Sequence, residues 1–353
     1  MIVLRTKILC LFLCLFCIVA YAEDGSQLWL RMNKVSTEIS SNRTIQTKSV
    51  DQTVLLAQKE LQNYWKGNSI ELLLDRKLKN LKDGFKISSK GNKIQIIAHK
   101  PAGLLYAAYH LLKRQEIGSL PDNYAVEEIP SYDIRILNHW DNLDRTIERG
   151  YAGYSLWKWD ELPHTLSPRY EEYARANASI GINSTVLNNV NASPQILTTE
   201  YLEKVKAIAS VFRKYGIQVY LSVNFSSPKV IAGLENSDPM NADVQQWWKN
   251  KVKEIYQLIP DFGGFLVKAN SEGQPGPQDY GRTHADGANM LADAVKPYGG
   301  IIIWRAFVYN PTKEDRAKQA YQEFVPLDGK FRDNVIIQIK NGPIDFQPRE
   351  PFT

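Results

Sequence analysis

The sequence predicts an α/β protein: a small N-terminal α+β domain followed by a (β/α)8 barrel of the TIM type, truncated after about six strands. Three observations carry this expectation. From Ile134 onward, short apolar runs recur at intervals of roughly 35–50 residues, with helical patterns between them. The connections after these runs are long and polar, as in barrels that carry function on their βα loops. Before Pro121 no such period exists, and strand and helix signals are mixed.

The elements follow in order. Leu28-Trp29-Leu30-Arg31-Met32 has the composition of a strand. Asp51 to Trp65 is amphipathic, with Val54, Leu55, Ala57, Leu61 and Tyr64 near helical spacing. Ile70–Leu74 is a short strand. Phe85–Ile87 and Lys93–Ala98 flank Ser88-Ser89-Lys90-Gly91-Asn92, a hairpin signal. Pro101 opens a helix through Leu112, since proline is accepted in a first helical turn. Pro121–Pro130 reads as a linker. The periodic part then gives strands at Ile134–Asn138, Ile182–Asn188, Gln218–Val223, Gly264–Ala269, Gly300–Trp304 and Val335–Ile339. Helices fall at Tyr170–Ala178, Glu200–Tyr215, Asp243–Leu258, Gly287–Val295 and Lys313–Phe324. A doubly wound sheet is the alternative, but no glycine-rich phosphate loop follows the first strand. Fewer strands than the eight a closed barrel needs would leave exposed edges, so a longer protein or a second chain is expected.

Residues 1–22 are expected to be a signal peptide. Arg5 and Lys7 precede the apolar stretch Ile8–Ala20, which is shorter than the ~20 residues that span a bilayer, and Ala20-Tyr21-Ala22 offers a cleavage site. The domains are then 23–125 and 126–353, and the mature protein is secreted or periplasmic, with no membrane association after cleavage. Cys10, Cys14 and Cys17 all lie in the leader, so the mature chain has no disulfide and relies on core burial. Removing Arg5 and Lys7 lowers the net charge from +5, so nothing here demands nucleic acid. Asn42-Arg43-Thr44 and Asn183-Ser184-Thr185 match the N-glycosylation pattern. His99, His110, His139, His164 and His284 form no metal-ligand motif.

The expected chemistry lies at the strand ends. Alternation puts Lys268, Asn270 and Glu272 on one face, while Phe265, Val267 and Ala269 face the surrounding helices. Lys268, Arg305 and Lys340 all fall at strand C-terminal ends, and three converging cations call for an anion, most simply a substrate carboxylate. Glu272 and Asp345 are the carboxylate pair that glycoside hydrolysis needs. Asparagines at Asn138, Asn188, Asn189, Asn191 and Asn224, with Trp140, suit sugar hydroxyls and ring faces. The plainer readings are a buried Lys268–Glu272 ion pair, Trp140 as core, and neutralisation of the cations by Asp141, Glu272 and Asp345.

The run Lys268-Ala269-Asn270-Ser271-Glu272-Gly273-Gln274-Pro275-Gly276-Pro277 resembles the signature of the family 67 glycoside hydrolases, the xylan α-1,2-glucuronidases. So do Asn138–Asn142, Ile147–Gly153, Trp304–Phe307 and Lys340–Pro351. The resemblance implies an α+β N-terminal domain, a central barrel and a helical C-terminal domain through which the full-length form is a homodimer. It implies inverting release of glucuronic acid or its 4-O-methyl form from acidic xylo-oligosaccharides, without a cofactor. Carried across, Glu272 is the general acid and Asp345 one of two water-activating carboxylates. Lys268, Arg305 and Lys340 surround the uronate, with Trp140 at the sugar. The second base and the last two strands would lie beyond Thr353, and Arg145-Thr146 is bulkier than the family pattern. The competing readings are a non-catalytic uronate- or carbohydrate-binding remnant of the same fold, and a hydrolase of a different acidic glycan.

Overall fold

The computed structural model describes residues 25, 27–121, 123–148, 153–270, 273–306 and 316–339. The expected signal peptide lies outside them. The chain divides into two compact units, Met1–Asn33 and Lys34–Thr353. In the first, Leu28–Leu30 is a single 3-10 turn, not the expected strand. Leu28 sits at φ 52°, and its N–H donates to Gly25 O at 3.1 Å, so the backbone is satisfied within the turn rather than by a ladder.

The second unit contains two sheets. The first is mixed and built from β1 (Ile45–Thr47), β2 (Ser69–Leu74), β3 (Phe85–Lys90), β4 (Lys93–Ala98) and β5 (Ala125–Glu128), in the order β1-β2-β4-β3-β5. A short helix, α1 (Thr37–Ser41), precedes β1. The hairpin β3–β4 forms where expected, with Lys90 opposite Lys93 and Gly91 at φ 59° in the two-residue turn. The expected linker is not irregular throughout, because β5 pairs antiparallel with β3 from Phe85↔Glu128 to Ser88↔Ala125. A local reading of Pro121–Pro130 misses this, since the partner lies about forty residues upstream.

Two helices cover this sheet. In α2 (Gln52–Tyr64) the Asp51 carboxylate caps the first turn, accepting from Thr53 N at 2.9 Å, and Val54, Ala57 and Leu61 form one buried stripe. Helix α3 (Pro101–Glu116) buries Leu104, Leu105, Ala108, Leu111 and Leu112 and runs one turn past its expected end. Lys113 and Arg114 in its last turn favour that extension, because cations complement the helix C-terminus.

The second sheet holds six parallel strands: β6 (Ile136–Asn138), β7 (Ser184–Val186), β8 (Gln218–Val223), β9 (Gly264–Val267), β10 (Ile301–Ala306) and β11 (Val335–Ile339). Each pairs with its sequence neighbour, so the order never reverses. A doubly wound sheet reverses at a switch point; continuous winding gives the observed half-barrel instead. Between the strands run α4 (Pro168–Ser179), α5 (Thr199–Arg213), α6 (Ser227–Ala232), α7 (Ala242–Leu258), α8 (His284–Val295) and α9 (Arg316–Phe324).

Strand alternation divides the packing into two faces. Val186, Val190, Tyr220, Leu266 and Ile303 form the inner cluster, with Ile136, Trp140 and Ile301 against it. The alternate residues meet the helices: Phe265 packs edge-on against Trp248 of α7, and Trp304 against His284 of α8. Polar ties join the mixed sheet's layer to the half-barrel. Arg175 of α4 grips Glu60 of α2 through two hydrogen bonds of 2.6 and 2.9 Å. Asp83 accepts from Arg135 at 2.6 Å and from Asn183 at 3.2 Å. Asn183 also donates to Asp133 O and accepts from the Arg135 N–H. Its amide is committed inside the fold, which leaves exposed Asn42 as the better fit to a glycan acceptor.

Candidate functional site at the strand ends

Three anticipated residues converge where β6, β9 and β10 end. Lys268 follows β9, lies on the same side as Leu266, and is 4% exposed. Arg305, on the same side of β10 as Ile303, is 8% exposed. Its guanidinium lies 5.8 Å from the Trp140 ring centroid, a cation–π contact. Trp140 follows β6 and rests on the inner cluster. Two buried cations and an indole thus share one end of the half-barrel.

The plainer reading of Trp140 as core is partly met, since one side packs on that cluster. Asn270 stands slightly apart. It adopts φ 52°, a left-handed conformation that asparagine tolerates better than most residues. Its Nδ2 donates to Asp279 at 3.0 Å, and the same Asp279 oxygen accepts from Gly276 N at 2.9 Å. The side chain therefore shapes the loop after β9, and its Oδ1 is buried without a partner among the described residues. Glu272, Lys340 and Asp345 lie outside the described residues.

The structure adds residues that sequence pattern did not single out. The segment after β6 folds back on itself through the bridges Asp141↔Ile147 and Thr146↔Tyr154. Its turn holds Arg145 at φ 71°, with Arg145 N donating to Asn142 O at 3.1 Å. The return strand delivers Glu148, whose N–H donates to Trp140 O at 3.0 Å. Its carboxylate accepts from Asn189 Nδ2 at 2.6 Å and from Asn191 Nδ2 at 3.2 Å. Asn191 Oδ1 in turn accepts from Lys268 Nζ at 2.8 Å. The polarity of the Ile147–Gly153 motif was the available signal for Glu148, but spacing gave it no partner.

The other asparagines divide between scaffold and cavity. Asn188 exchanges side-chain hydrogen bonds with the Ser222 backbone, at 3.0 and 2.9 Å, and so ties β7's end to β8. Asn224 Oδ1 accepts from Ser226 N and Oγ, while its Nδ2 donates to Gln274. Asp141 accepts from Ser155 Oγ at 2.6 Å, and the neighbouring His139 bonds the Tyr173 hydroxyl at 2.7 Å. Burial pushes that tyrosine's pKa up to about 12, so it stays a neutral partner. Asp141, Asn142, Asn188, Asn189, Asn191, Asn224 and Gln274 line a cavity of about 220 Å³. Trp140, Lys268 and Arg305 do not line it; Asn191 is the bridge to them.

A larger cavity of about 330 Å³ lies at the opposite ends of the strands, bounded by α3, β3 and the Asp83–Arg135 pair. It brings together none of the anticipated site residues. Among the described residues no group of three or more His, Cys, Asp or Glu side chains could hold a metal ion, and no helix is long and apolar enough to cross a membrane.

Comparison with known proteins places this geometry. Residues 115–353 match the glycosyl hydrolase family 67 middle domain. A probable alpha-glucuronidase A of Neosartorya fischeri is 48% identical over 277 residues, covering 76% of this chain and 33% of that protein. An alpha-glucuronidase of Hypocrea jecorina is 46% identical over 289 residues, covering 79% of this chain and 34% of that protein. The chain thus spans about a third of the length of the curated relatives it matches. Among solved structures, a GH138 enzyme targeting pectin rhamnogalacturonan II aligns with TM-score 0.54 at 18% identity, over 85% of this chain and 38% of that one, a likeness of fold.

Proposed function

The chain belongs to glycosyl hydrolase family 67, and from that membership we propose that the protein carrying it is a secreted or periplasmic α-glucuronidase. It releases α-1,2-linked glucuronic acid, or the 4-O-methyl form, from xylo-oligosaccharides with inversion, on a barrel closed by further strands and without a cofactor. The expected 23–125 segment is a domain of its own, and the full-length form is a homodimer.

The observation that carries the reading is the pair of buried cations, Lys268 and Arg305, at neighbouring strand ends beside the face of Trp140. Burying a charge is costly unless an opposite charge and hydrogen bonds compensate. A uronate carboxylate adds an opposite charge and hydrogen bonds to the partners that the two cations already have. Arg305 offers a planar fork matched to two carboxylate oxygens, and Lys268 a compact charge. The Trp140 ring supports the pyranose face, and Lys340 is the third cation that the family resemblance assigns to the uronate. Asn270 keeps the loop after β9 in shape through Asp279.

In this assignment Glu272 protonates the departing glycosidic oxygen, and Asp345 is one of the carboxylates that draw a proton from the attacking water. General acid catalysis contributes typically 10²–10⁴-fold, and more where the leaving group is poor. Glu272→Gln in the complete enzyme should therefore abolish release from natural xylo-oligosaccharides but spare substrates with good leaving groups. Equal loss on both refutes the role. Glucuronate binding by the folded chain without turnover in the complete protein would favour the non-catalytic reading.

A further inference from the structure

We propose that Glu148 is a positioning residue that sets the direction in which Asn191 presents its amide to Lys268, and so tunes the site for a uronate. The inference rests on the uronate reading above.

An asparagine amide is polar end to end: one side donates, the other accepts. Glu148 is acceptor-only and faces two amide nitrogens, Asn189 Nδ2 at 2.6 Å and Asn191 Nδ2 at 3.2 Å. With its nitrogen held there, Asn191 must turn its oxygen toward Lys268, where it accepts at 2.8 Å. Asn189 is fixed the same way: its nitrogen is shared between Glu148 and Asn142 Oδ1, and its Oδ1 accepts from the Asn191 N–H at 3.0 Å. The carboxylate thus holds both amide nitrogens, with the Asn189 amide also fixed by the Asn191 N–H. Glu148 thereby reinforces the direction in which Asn191 meets Lys268.

Glu148→Gln keeps the shape and reverses one of the two ends. The shorter contact, to Asn189, retains the glutamine oxygen, so the glutamine nitrogen faces Asn191. Two amide nitrogens then meet donor against donor, so Asn191 loses its anchor opposite Lys268 and holds the lysine less firmly. Lys268 is displaced or its charge redirected, and the loss falls on ligands that carry a carboxylate. A merely structural glutamate would weaken all sugars alike.

The test is calorimetric titration of the full chain with sodium glucuronate and with glucose, together with thermal unfolding. The wild type is expected to prefer glucuronate. E148Q should weaken glucuronate by about tenfold or more while changing glucose by less than about twofold. E148D, which keeps the charge but reaches only one amide, should show the same selective loss. Unchanged glucuronate affinity in E148Q, or equal loss of both sugars, overturns the proposal. Unfolding of both variants overturns it too, since Glu148 would then hold the loop rather than the lysine. Absence of any wild-type preference for glucuronate is a separate result: it removes the uronate reading, and the inference falls with it.

Discussion

Arg175→Ala tests what joins the two layers of the compact unit. Arg175 meets Glu60 through two charge-assisted hydrogen bonds of 2.6 and 2.9 Å. The Glu60 side chain is 7% exposed and that of Arg175 22%. Burial alone would lower the arginine pKa, but the Glu60 hydrogen bonds and charge outweigh it and hold the guanidinium well above its ordinary value. Removing the arginine strands a buried carboxylate, whose remaining described partner is the Tyr109 hydroxyl at 3.4 Å. Breaking one side of a buried pair costs ~3–5 kcal/mol, and the partial exposure of Arg175 argues for about 3. At ~2.1 cal/mol/K per residue, the unit Lys34–Thr353 has an unfolding entropy of roughly 0.7 kcal/mol/K, so the midpoint should fall by roughly 4–5 °C. Replacing both residues with Met should recover most of the loss, short of about 1 kcal/mol for the hydrogen bond from Tyr109 to Glu60. Thermal and denaturant unfolding of Arg175→Met, Glu60→Met and the double Met variant close the cycle beside Arg175→Ala. A loss below 1 kcal/mol in Arg175→Ala, or no recovery in the double variant, refutes the reasoning.

Three further outcomes follow from the site and its supports. Gly276→Ala should cost ~1–3 kcal/mol and disturb the loop after β9, because an added Cβ would lie 1.8 Å from Asn270 Oδ1; a neutral stability change in calorimetry would contradict this. Arg305→Ala should weaken glucuronate by about tenfold or more and a neutral sugar little, whereas Arg305→Lys should restore only part because the fork is lost; equal effects on both sugars in titration would exclude a carboxylate partner. His284 stacks on Phe324 and accepts from Trp304 Nε1 at 3.3 Å, and burial lowers its pKa. The unfolded chain therefore binds the proton more tightly than the folded one, so stability should be full above the unfolded value near 6.5 and decline as pH falls through the lower folded value. Denaturant midpoints from pH 8 to 5 should show that slope, and His284→Gln should flatten it.

The parallel strands were legible because burial on both faces leaves near-continuous apolar runs, and β8 and β11 fall on their expected bounds. The same logic failed at Leu28–Met32, where an apolar run ends in a 3-10 turn, and at β1, whose Ile-Gln-Thr is too short to announce a strand. β1 exists because it pairs with β2 from Ile45↔Ile70 to Thr47↔Leu72, a contact of the folded chain only. β5 was missed for the same reason. Apolar period reports what a residue does to its own segment; pairing across the sheet it reports only when the neighbour is equally apolar.

The site shows the same limit more sharply. Lys268, Arg305 and Trp140 could be placed because each sits on or just after a strand, where a period of two fixes the side that faces inward. Glu148 could not, since it reaches the site by a chain reversal at Arg145 and meets Asn189 and Asn191 across more than forty positions. Its place in the Ile147–Gly153 motif marks the segment, but nothing local gives the carboxylate a partner. Yet in our proposal the carboxylate helps to set which end of Asn191 faces Lys268. Charge on a strand can be read from spacing. The direction of an amide depends on what lies opposite, and that is why a positioning residue emerges only from the folded chain.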